Sequence, residues 1–444
     1  MLFSLAMNKT LNEITIDSLA YGGSGIGRMD GKAVFVPLTA PGDRITFQPV
    51  KEKKGYLEGE LLEIKEASLL RREPPCPVYG NCGGCSWQHL PYSEQAKAKE
   101  EIFRETLWRL GTVEREKVKP IIAAPEEWNY RNRAQFKVRL IEGRLHIGFY
   151  RRKSHVVVDI SNCPLMSPLI NRSLITMKKS LSRAPFQDRI CQIDIAVNDK
   201  DDRAVAIIHL SSALHSDDLT YAKSELSGLD KLSALFIKDG REKKLEKVFE
   251  NQTGQLHYSL ETDSRSLDLS FSPGGFTQVN YAQNRRLIKE AMKWVKKWSP
   301  KIAIDLYCGI GNFSLPLALY AKDISAVEDY EGAVEDGRKN AGNNGIDNCR
   351  FIKGNVSKLA RQLFSDHPDM VLIDPPRDGA AQAVKMLVER GVPRVIYISC
   401  NPTTLARDLR YLTRGGYQII SSQPVDLFPQ TYHVESITVA EKMG

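Results

Sequence analysis

A cysteine closing one apolar run and a carboxylate opening the last one are the side chains best placed in this sequence for covalent chemistry. Cys400 lies in Ser399-Cys400-Asn401-Pro402, after the apolar run 395–399 and just before a helix that Asn401-Pro402 would open. Helix N-terminal amides lower a thiol pKa, so the position favours the thiolate. A nucleophilic thiolate beside a methyl donor suggests one reaction in particular. Uracil C5 is a poor nucleophile, but a thiolate adding to C6 makes an enolate whose C5 can attack a donor methyl, after which a base must remove the C5 proton. The segment Phe428-Pro429-Gln430-Thr431-Tyr432-His433-Val434-Glu435-Ser436 offers Glu435 as that base, and His433 as a second candidate by its pKa. Spacing does not choose between them. Cys191, Cys308 and Cys349 read instead as small core hydrophobes.

A donor site is legible upstream. Asp305-Leu306-Tyr307-Cys308-Gly309-Ile310-Gly311-Asn312-Phe313 runs from a strand through two glycines into a helix, and glycines there let backbone approach a ligand closely. The third glycine of the dinucleotide fingerprint is missing and no Gly-Lys-Ser/Thr follows, so NAD and nucleoside triphosphates are poorly supported. Glu328 ends the next apolar run, where an acid accepts hydrogen bonds from ribose hydroxyls. Adenosine attached to something other than pyrophosphate is indicated, and S-adenosylmethionine meets that description. Asp374-Pro375-Pro376-Arg377 closes a further run. That motif also suits methylation of an exocyclic amine of adenine or cytosine, chemistry that needs no thiol and would leave Cys400 and Glu435 idle.

Four more cysteines form a separate set. Cys76, Cys82 and Cys85 stand at C-x5-C-x2-C in a Pro/Gly-rich turn, and Cys163 precedes Pro164. Without a secretion leader, metal ligation is expected over disulfides. Zinc sites pair their ligands in two short knuckles and one knuckle is missing here, which favours an iron–sulfur cluster over zinc. The C-x3-C-x2-C spacing of radical S-adenosylmethionine enzymes is absent, so the expected cluster is structural.

The elements that must position these residues follow from periodicity. From Lys301 onward, apolar runs at 302–306, 324–327, 370–373 and 395–399 alternate with helix-like stretches, the rhythm of an α/β fold whose parallel sheet carries ligands at the strands' carboxyl ends. Residues 1–66 read as short strands split by Tyr21-Gly22-Gly23, Asp30-Gly31 and Pro41-Gly42-Asp43, a small OB-like barrel. Ser93 to Leu110 reads as one charged helix opened by a Ser cap, followed by a mixed region to about residue 270. Between Trp128 and Lys153, eight basic residues (Arg131, Arg133, Lys137, Arg139, Arg144, Arg151, Arg152, Lys153) oppose only Glu142, interleaved with Trp128, Tyr130, Phe136, Phe149 and Tyr150. Such a mixture suits single-stranded RNA, although the alternation at 135–140 fits any half-buried strand. The 444 residues carry 62 Lys and Arg against 54 Asp and Glu, a net +8, and 42% are hydrophobic, the balance of a soluble chain of two to three domains. No apolar run reaches the roughly 18 residues of a membrane span, and the opening MLFSLAM lacks a basic leader, so a cytoplasmic protein is expected.

Taken together, these motifs resemble the RNA uracil-5 methyltransferase family, in the branch with an N-terminal TRAM barrel and a 4Fe-4S cluster. The resemblance covers nearly the whole chain and rests on the Pro41-Gly42-Asp43 turn, then CPVYGNCGGCSWQHL, YRNRAQF, SNCP, FTQVN, DLYCGIGNFSLPLA, DPPRDGA, SCNPTTLARDL and FPQTYHVES, in the family's order. It implies a multidomain α/β chain: a TRAM OB-like barrel over 1–66, a mixed α+β central domain over 67–270 for RNA and the cluster, and a Rossmann-like class I methyltransferase domain over 271–444. It further implies S-adenosylmethionine held by Gln278, Tyr307 and Asn312, with Glu328 on ribose, Asn355 near adenine and Asp374 at the reacting end. Cys400 resembles the family's nucleophile and Glu435 its base, which sets His433 aside. Cys76, Cys82, Cys85 and Cys163 would hold the cluster. Gln135 and Asp374 would meet the uracil edge, though family members differ at the position of Gln135, some having Arg or Glu. The barrel and cluster point to 23S rRNA as substrate, with tRNA the alternative. A protein acting only as an RNA-binding or folding factor would not need the complete catalytic set.

Overall fold

The computed structural model describes residues 12–229, 232–251 and 254–443; the opening stretch MLFSLAM lies outside them. Strands β1 (Asn12–Leu19), β2 (Ser24–Met29), β3 (Lys32–Pro37), β4 (Arg44–Glu52) and β5 (Tyr56–Glu66) close into a barrel in the order β1-β2-β3-β5-β4, with β4 returning to pair with β1. Alternation puts Ile14, Ile16, Val34, Val36, Ile45, Phe47 and Leu57 inside. The Asp43 carboxylate of the Pro-Gly-Asp turn is buried, accepts the Ala40 and Ser68 amides, and takes a forked bond from Arg71 that ties the barrel to the following segment.

Next comes a seven-stranded mixed sheet of β6 (Arg133–Ile141), β7 (Arg144–Tyr150), β8 (Val157–Asp159), β9 (Ile190–Val197), β10 (Ala204–Leu210), β11 (Ala234–Lys238) and β12 (Leu245–Glu250), in the order β12-β11-β10-β9-β6-β7-β8. Helices Pro168–Leu181 and Ser216–Glu225 bury Phe136, Val138, Ile193 and Ile195 on one face. The period of 2 along β6 therefore sends Gln135 and Arg139 to the other, exposed face.

The hairpin β13 (Leu256–Glu261) and β14 (Ser266–Phe271) packs onto the C-terminal core across the expected division near residue 270. Asn340 bonds both the backbone amide and the hydroxyl of Ser270 at 2.9 Å. That core is built on β15 (Ile302–Leu306), β16 (Asp323–Glu328), β17 (Cys349–Lys353), β18 (Met370–Ile373), β19 (Arg394–Ser399), β20 (Tyr417–Val425) and β21 (Glu435–Lys442), in the order β17-β16-β15-β18-β19-β21-β20. The first five are parallel and β21 runs antiparallel between β19 and β20. Helices Tyr281–Trp298 and Glu331–Asn343 cover one face of this sheet, and Val356–Leu363, Ala381–Arg390 and Pro402–Arg414 the other.

The helix expected from Ser93 runs over Tyr92–Gly111, with Pro91 at its N-cap and no side-chain cap bond. Proline fixes φ for the entry, so the serine cap is not used. Its Phe103 and Leu107 join the C-terminal core.

Candidate active site

The carboxyl ends of β15, β16, β18 and β19 and the start of β21 meet on one side of the sheet, as an open α/β fold dictates. Tyr307, Glu328, Asp374, Cys400 and Glu435 therefore line one cavity of about 1040 Å³, together with Gln135, Gln278, Arg377 and His433. The antiparallel register of β19 and β21 ends on Ser399 with Ser436, and the Ser436 hydroxyl donates to the Ser399 carbonyl at 3.2 Å. Cys400 and Glu435 are the residues just beyond that last pair; both line the cavity, and the Glu435 charge bears on the Cys400 thiol.

Burial sets the protonation of these groups. Glu435 is 3% exposed, and burial followed by the neighbouring Asp374 charge holds its carboxyl well above the usual range. Burial likewise lifts Asp374 to about 7. The sequence-based expectation of a thiolate at Cys400 is corrected here: burial, then Glu435, push the thiol up to about 12, and only Arg377 and a backbone hydrogen bond act against them. Burial, with the neighbouring Glu435 and Asp374 carboxyls adding to it, prevails at this position. His433 is pushed down to about 4 by burial and Arg377, so the imidazole is neutral at pH 7.

The glycine turn is shaped for close approach. Tyr307 adopts φ +65°, a left-handed conformation costly for a residue with a side chain, and Gly309 and Gly311 follow at +54° and +95°. A Cβ on Gly309 would meet nothing within 4 Å, whereas one on Gly311 would lie 2.9 Å from Phe351. Gly309 thus leaves open space at the cavity wall while Gly311 packs inward. Glu328 braces the turn: one oxygen accepts from the Gly309 amide at 3.1 Å, the other from Asp329 and Tyr330 at 2.8 and 2.9 Å.

Two of the expected donor-site residues stand off the cavity wall. Asn312 is committed to a reciprocal amide pair with Asn284, at 2.8 and 3.0 Å, and accepts from Tyr258 at 2.9 Å, so its side chain anchors the turn. Asn355 is exposed and accepts from the Lys358 amide, at the start of helix Val356–Leu363.

The family model described as tRNA (Uracil-5-)-methyltransferase matches residues 91–443, and the TRAM domain model matches residues 7–62. The chain belongs to the RNA uracil-5 methyltransferase family. This methyltransferase is 35% identical over 447 residues to the 23S rRNA (uracil(1939)-C(5))-methyltransferase RlmD of Legionella pneumophila strain Lens, covering 98% of each chain. It is 34% identical over 451 residues to an uncharacterized RNA methyltransferase of Halalkalibacterium halodurans, covering 97% of this chain and 96% of that one. Its fold matches the crystal structure of Pyrococcus abyssi tRNA (uracil-54, C5)-methyltransferase in complex with S-adenosyl-L-homocysteine, with TM-score 0.74, 24% identity, and coverage of 96% and 99%. The methyltransferase is thus an S-adenosylmethionine-dependent enzyme acting on uracil C5 in RNA. No helix among its described residues is long and apolar enough to cross a membrane.

The methyltransferase's Cys76, Cys82, Cys85 and Cys163 are free thiols on the far wall of the same cavity. Burial raises Cys85 to about 12 and Cys163 to about 11, and the charge of each bears on the others. Among the described residues, no group of three or more His, Cys, Asp or Glu side chains could hold a metal ion, so the metal centre expected from their spacing is not preformed. Gln135 reaches the cavity from β6 and donates weakly to Asp194 at 3.4 Å. Of the basic segment, Arg131 and Arg133 line the cavity, while Lys153 pairs with Glu58 of the barrel at 2.8 Å.

Three contributions escaped the sequence. Arg377 stands beside Cys400 and Glu435, and only its place after Asp374-Pro375-Pro376 hinted at it. Tyr21, from the barrel's glycine turn, meets Tyr432 edge-on at 5.4 Å, next to His433. Gln430, at φ +69° and fully buried, accepts from Gln95 and Arg72 and donates to Glu127, which locks the loop before Glu435 onto helix Tyr92–Gly111.

Proposed function

We propose that this enzyme methylates C5 of a uridine in 23S rRNA through a covalent bond between Cys400 Sγ and uracil C6, with Glu435 taking the C5 proton. What supports it is one juxtaposition: Cys400 follows the end of β19 and Glu435 opens β21, next to the last pair of that ladder, on the wall of a cavity that Glu328 and Asp374 also line.

Gln278, Tyr307, Glu328 and Asp374 would hold S-adenosylmethionine, with Asn312 acting through the turn and Asn355 beside the adenine. The open space at Gly309 and the backbone-braced Glu328 fit an adenosine at that wall. When bound, the donor supplies an electrophilic methyl group on a sulfonium sulfur. Cys400 gives its proton to water at the open cavity, Arg377 favouring the thiolate. Sγ then bonds to C6 as the C5=C6 electrons move toward C5 and O4, and C5 would take the methyl group as its bond to the sulfonium sulfur breaks, the electron pair staying on sulfur and S-adenosylhomocysteine leaving. Glu435 in its carboxylate form removes the C5 proton, the double bond re-forms, and the C6–Sγ bond breaks to free Cys400. Gln135 and Asp374 would read the uracil edge. The target uridine must leave its stack to enter, at a cost of about a few kcal/mol that the barrel and the basic segment would offset.

The similarity to the Legionella protein supports rRNA as substrate. The test is incubation with methyl-labelled S-adenosylmethionine and undermodified rRNA or tRNA, then nucleoside digestion and mass spectrometry. Labelled 5-methyluridine from 23S rRNA is expected; label only in tRNA reassigns the substrate, and labelled methyladenosine or methylcytidine overturns the chemistry.

A structural 4Fe-4S cluster on Cys76, Cys82, Cys85 and Cys163 belongs to the same proposal. What supports it is the donor set: four thiols from two distant segments line the same cavity, the number and type of ligand a cluster takes, although they are not gathered into a metal-holding group among the described residues. Anaerobically purified protein is expected to carry about four irons per chain with matching sulfide; zinc, or neither metal, contradicts the assignment.

A further inference from the structure

Outside the catalytic cavity, a second hollow of about 500 Å³ is lined by Leu110, Thr403, Arg407, Arg410, Tyr411 and Arg414. All but Leu110 lie on helix Pro402–Arg414, which starts two residues after Cys400 and packs closely on the end of helix Tyr92–Gly111, where a Cβ on Gly111 would lie 3.1 Å from Ala406. From Thr403 to Arg414 the helix runs about 16 Å at 1.5 Å per residue. At its catalytic end, Arg407 donates to the Asp378 carbonyl and Thr404 to the Arg377 carbonyl, on the loop that lines the catalytic cavity.

The charge of this face is one-sided. Asp408, the helix's only acid, is buried against Tyr397 and the Ala380 amide. Arg410 and Arg414 are exposed and make no ion pair among the described residues. On the neighbouring helix the arginines are neutralised instead: Arg104 by Glu100 and Glu101, Arg109 by Glu105. Aromatic surface stands with the free cations, since Tyr411, between Arg410 and Arg414 on the same helix, is 51% exposed. Arg407 is paired with Asp408 at 2.8 Å, so the free cations of this face are Arg410 and Arg414. Two such arginines flanking an exposed aromatic ring match a strand of phosphates and bases, whereas a protein partner would more often meet a mixed-sign rim.

We infer that this groove is a second RNA-docking surface, holding the single strand that flanks the target uridine as it leaves the catalytic cavity. It rests on the proposed RNA-methylating activity for its geometry, but its test reads binding and not methyl transfer. Unmodified 23S rRNA and tRNA transcripts are titrated with the full-length protein over a range of salt concentrations. For the RNA that binds wild type more tightly, the Arg410→Glu/Arg414→Glu protein is expected to lose about tenfold or more in affinity, and the slope of log K against log salt to fall by about 2. The Arg410→Lys/Arg414→Lys protein should keep the slope, and Tyr411→Ala should weaken binding with the slope unchanged. A folded charge-reversed variant that binds both RNAs with wild-type affinity and slope overturns the inference, as does an altered oligomeric state with RNA binding intact, which would give the groove to a second copy of the chain. Failure of the methylation proposal alone would leave these binding differences in place.

Discussion

Lys99 and Asp426 form an ion pair at 2.7 Å with neither side chain exposed, and the same ammonium donates to the Phe428 carbonyl at 2.9 Å. The pair joins helix Tyr92–Gly111 to the loop that leads through His433 to Glu435, so the N-terminal half of the chain positions the proposed base of the C-terminal half. Burial outweighs the attraction of Asp426 and holds the Lys99 ammonium below its ordinary pKa. Removing one partner leaves a charge buried alone, which costs about 3–5 kcal/mol. Lys99→Met should therefore lose stability on that scale in urea unfolding, and Lys99→Met/Asp426→Asn should recover much of it. Equal stability of the single variant and wild type would show that the pair holds nothing.

The pH dependence follows from the buried carboxyls. A base must be ionised to accept a proton, yet Asp374 lies at about 7 and Glu435 is raised with it. Below those values the pair holds its protons and Glu435 cannot act, so kcat/KM should rise as pH increases through 7. The thiol at Cys400, raised by burial to about 12, acts in the same direction. Initial rates across about pH 5.5–9 test this, since kcat/KM reports free-enzyme ionisations; a profile already flat at the acid end contradicts it.

Gly311 tolerates no side chain, for two separate reasons. Its φ of +95° strains any L residue, and a Cβ would lie 2.9 Å from Phe351 and 3.0 Å from Leu315. Gly311→Ala should destabilise the protein by about 1–3 kcal/mol. It should also weaken S-adenosylmethionine binding measured by calorimetry. An unaltered melting temperature and affinity would mean that the turn relaxes without cost.

Much of the site was legible because chemistry and periodicity coincide at strand ends. The apolar runs around Ile304, Ala326, Leu372 and Ile396 became β15, β16, β18 and β19, which fixed where Tyr307, Glu328, Asp374 and Cys400 must lie. β17 was not read as a strand, because only Cys349 and Phe351 of its five residues are buried. Asn312 stood in the right motif, but its bonds run to Tyr258 and Asn284, 54 and 28 residues away, and no local pattern reveals partners that distant. The thiol of Cys400 was misjudged for a similar reason. Its helix N-terminus is local and visible, whereas the burial that raises the thiol, and the carboxyls after β18 and at the start of β21 that add to it, come from tertiary packing.

Glu328 spends three acceptor bonds on backbone amides of the donor wall. Bonds to a charged acceptor are worth about 1.5–3 kcal/mol each, more than neutral ones. Glu328→Gln keeps the shape but removes the charge and one acceptor. Affinity for S-adenosylmethionine should fall about tenfold or more while RNA affinity holds. Unchanged calorimetric affinity would remove Glu328 from the donor site.

The proposed partnership of Cys400 and Glu435 is tested most directly by splitting their two roles. Protein, methyl-labelled S-adenosylmethionine and undermodified 23S rRNA are incubated and run on a denaturing gel, for Cys400→Ala and for Glu435→Gln. With Cys400 as nucleophile and Glu435 as the base that allows its release, Glu435→Gln should accumulate a methyl-labelled protein–RNA adduct that survives denaturation, and Cys400→Ala should form neither adduct nor 5-methyluridine. Free 5-methyluridine from the Cys400→Ala protein would contradict the account at its centre.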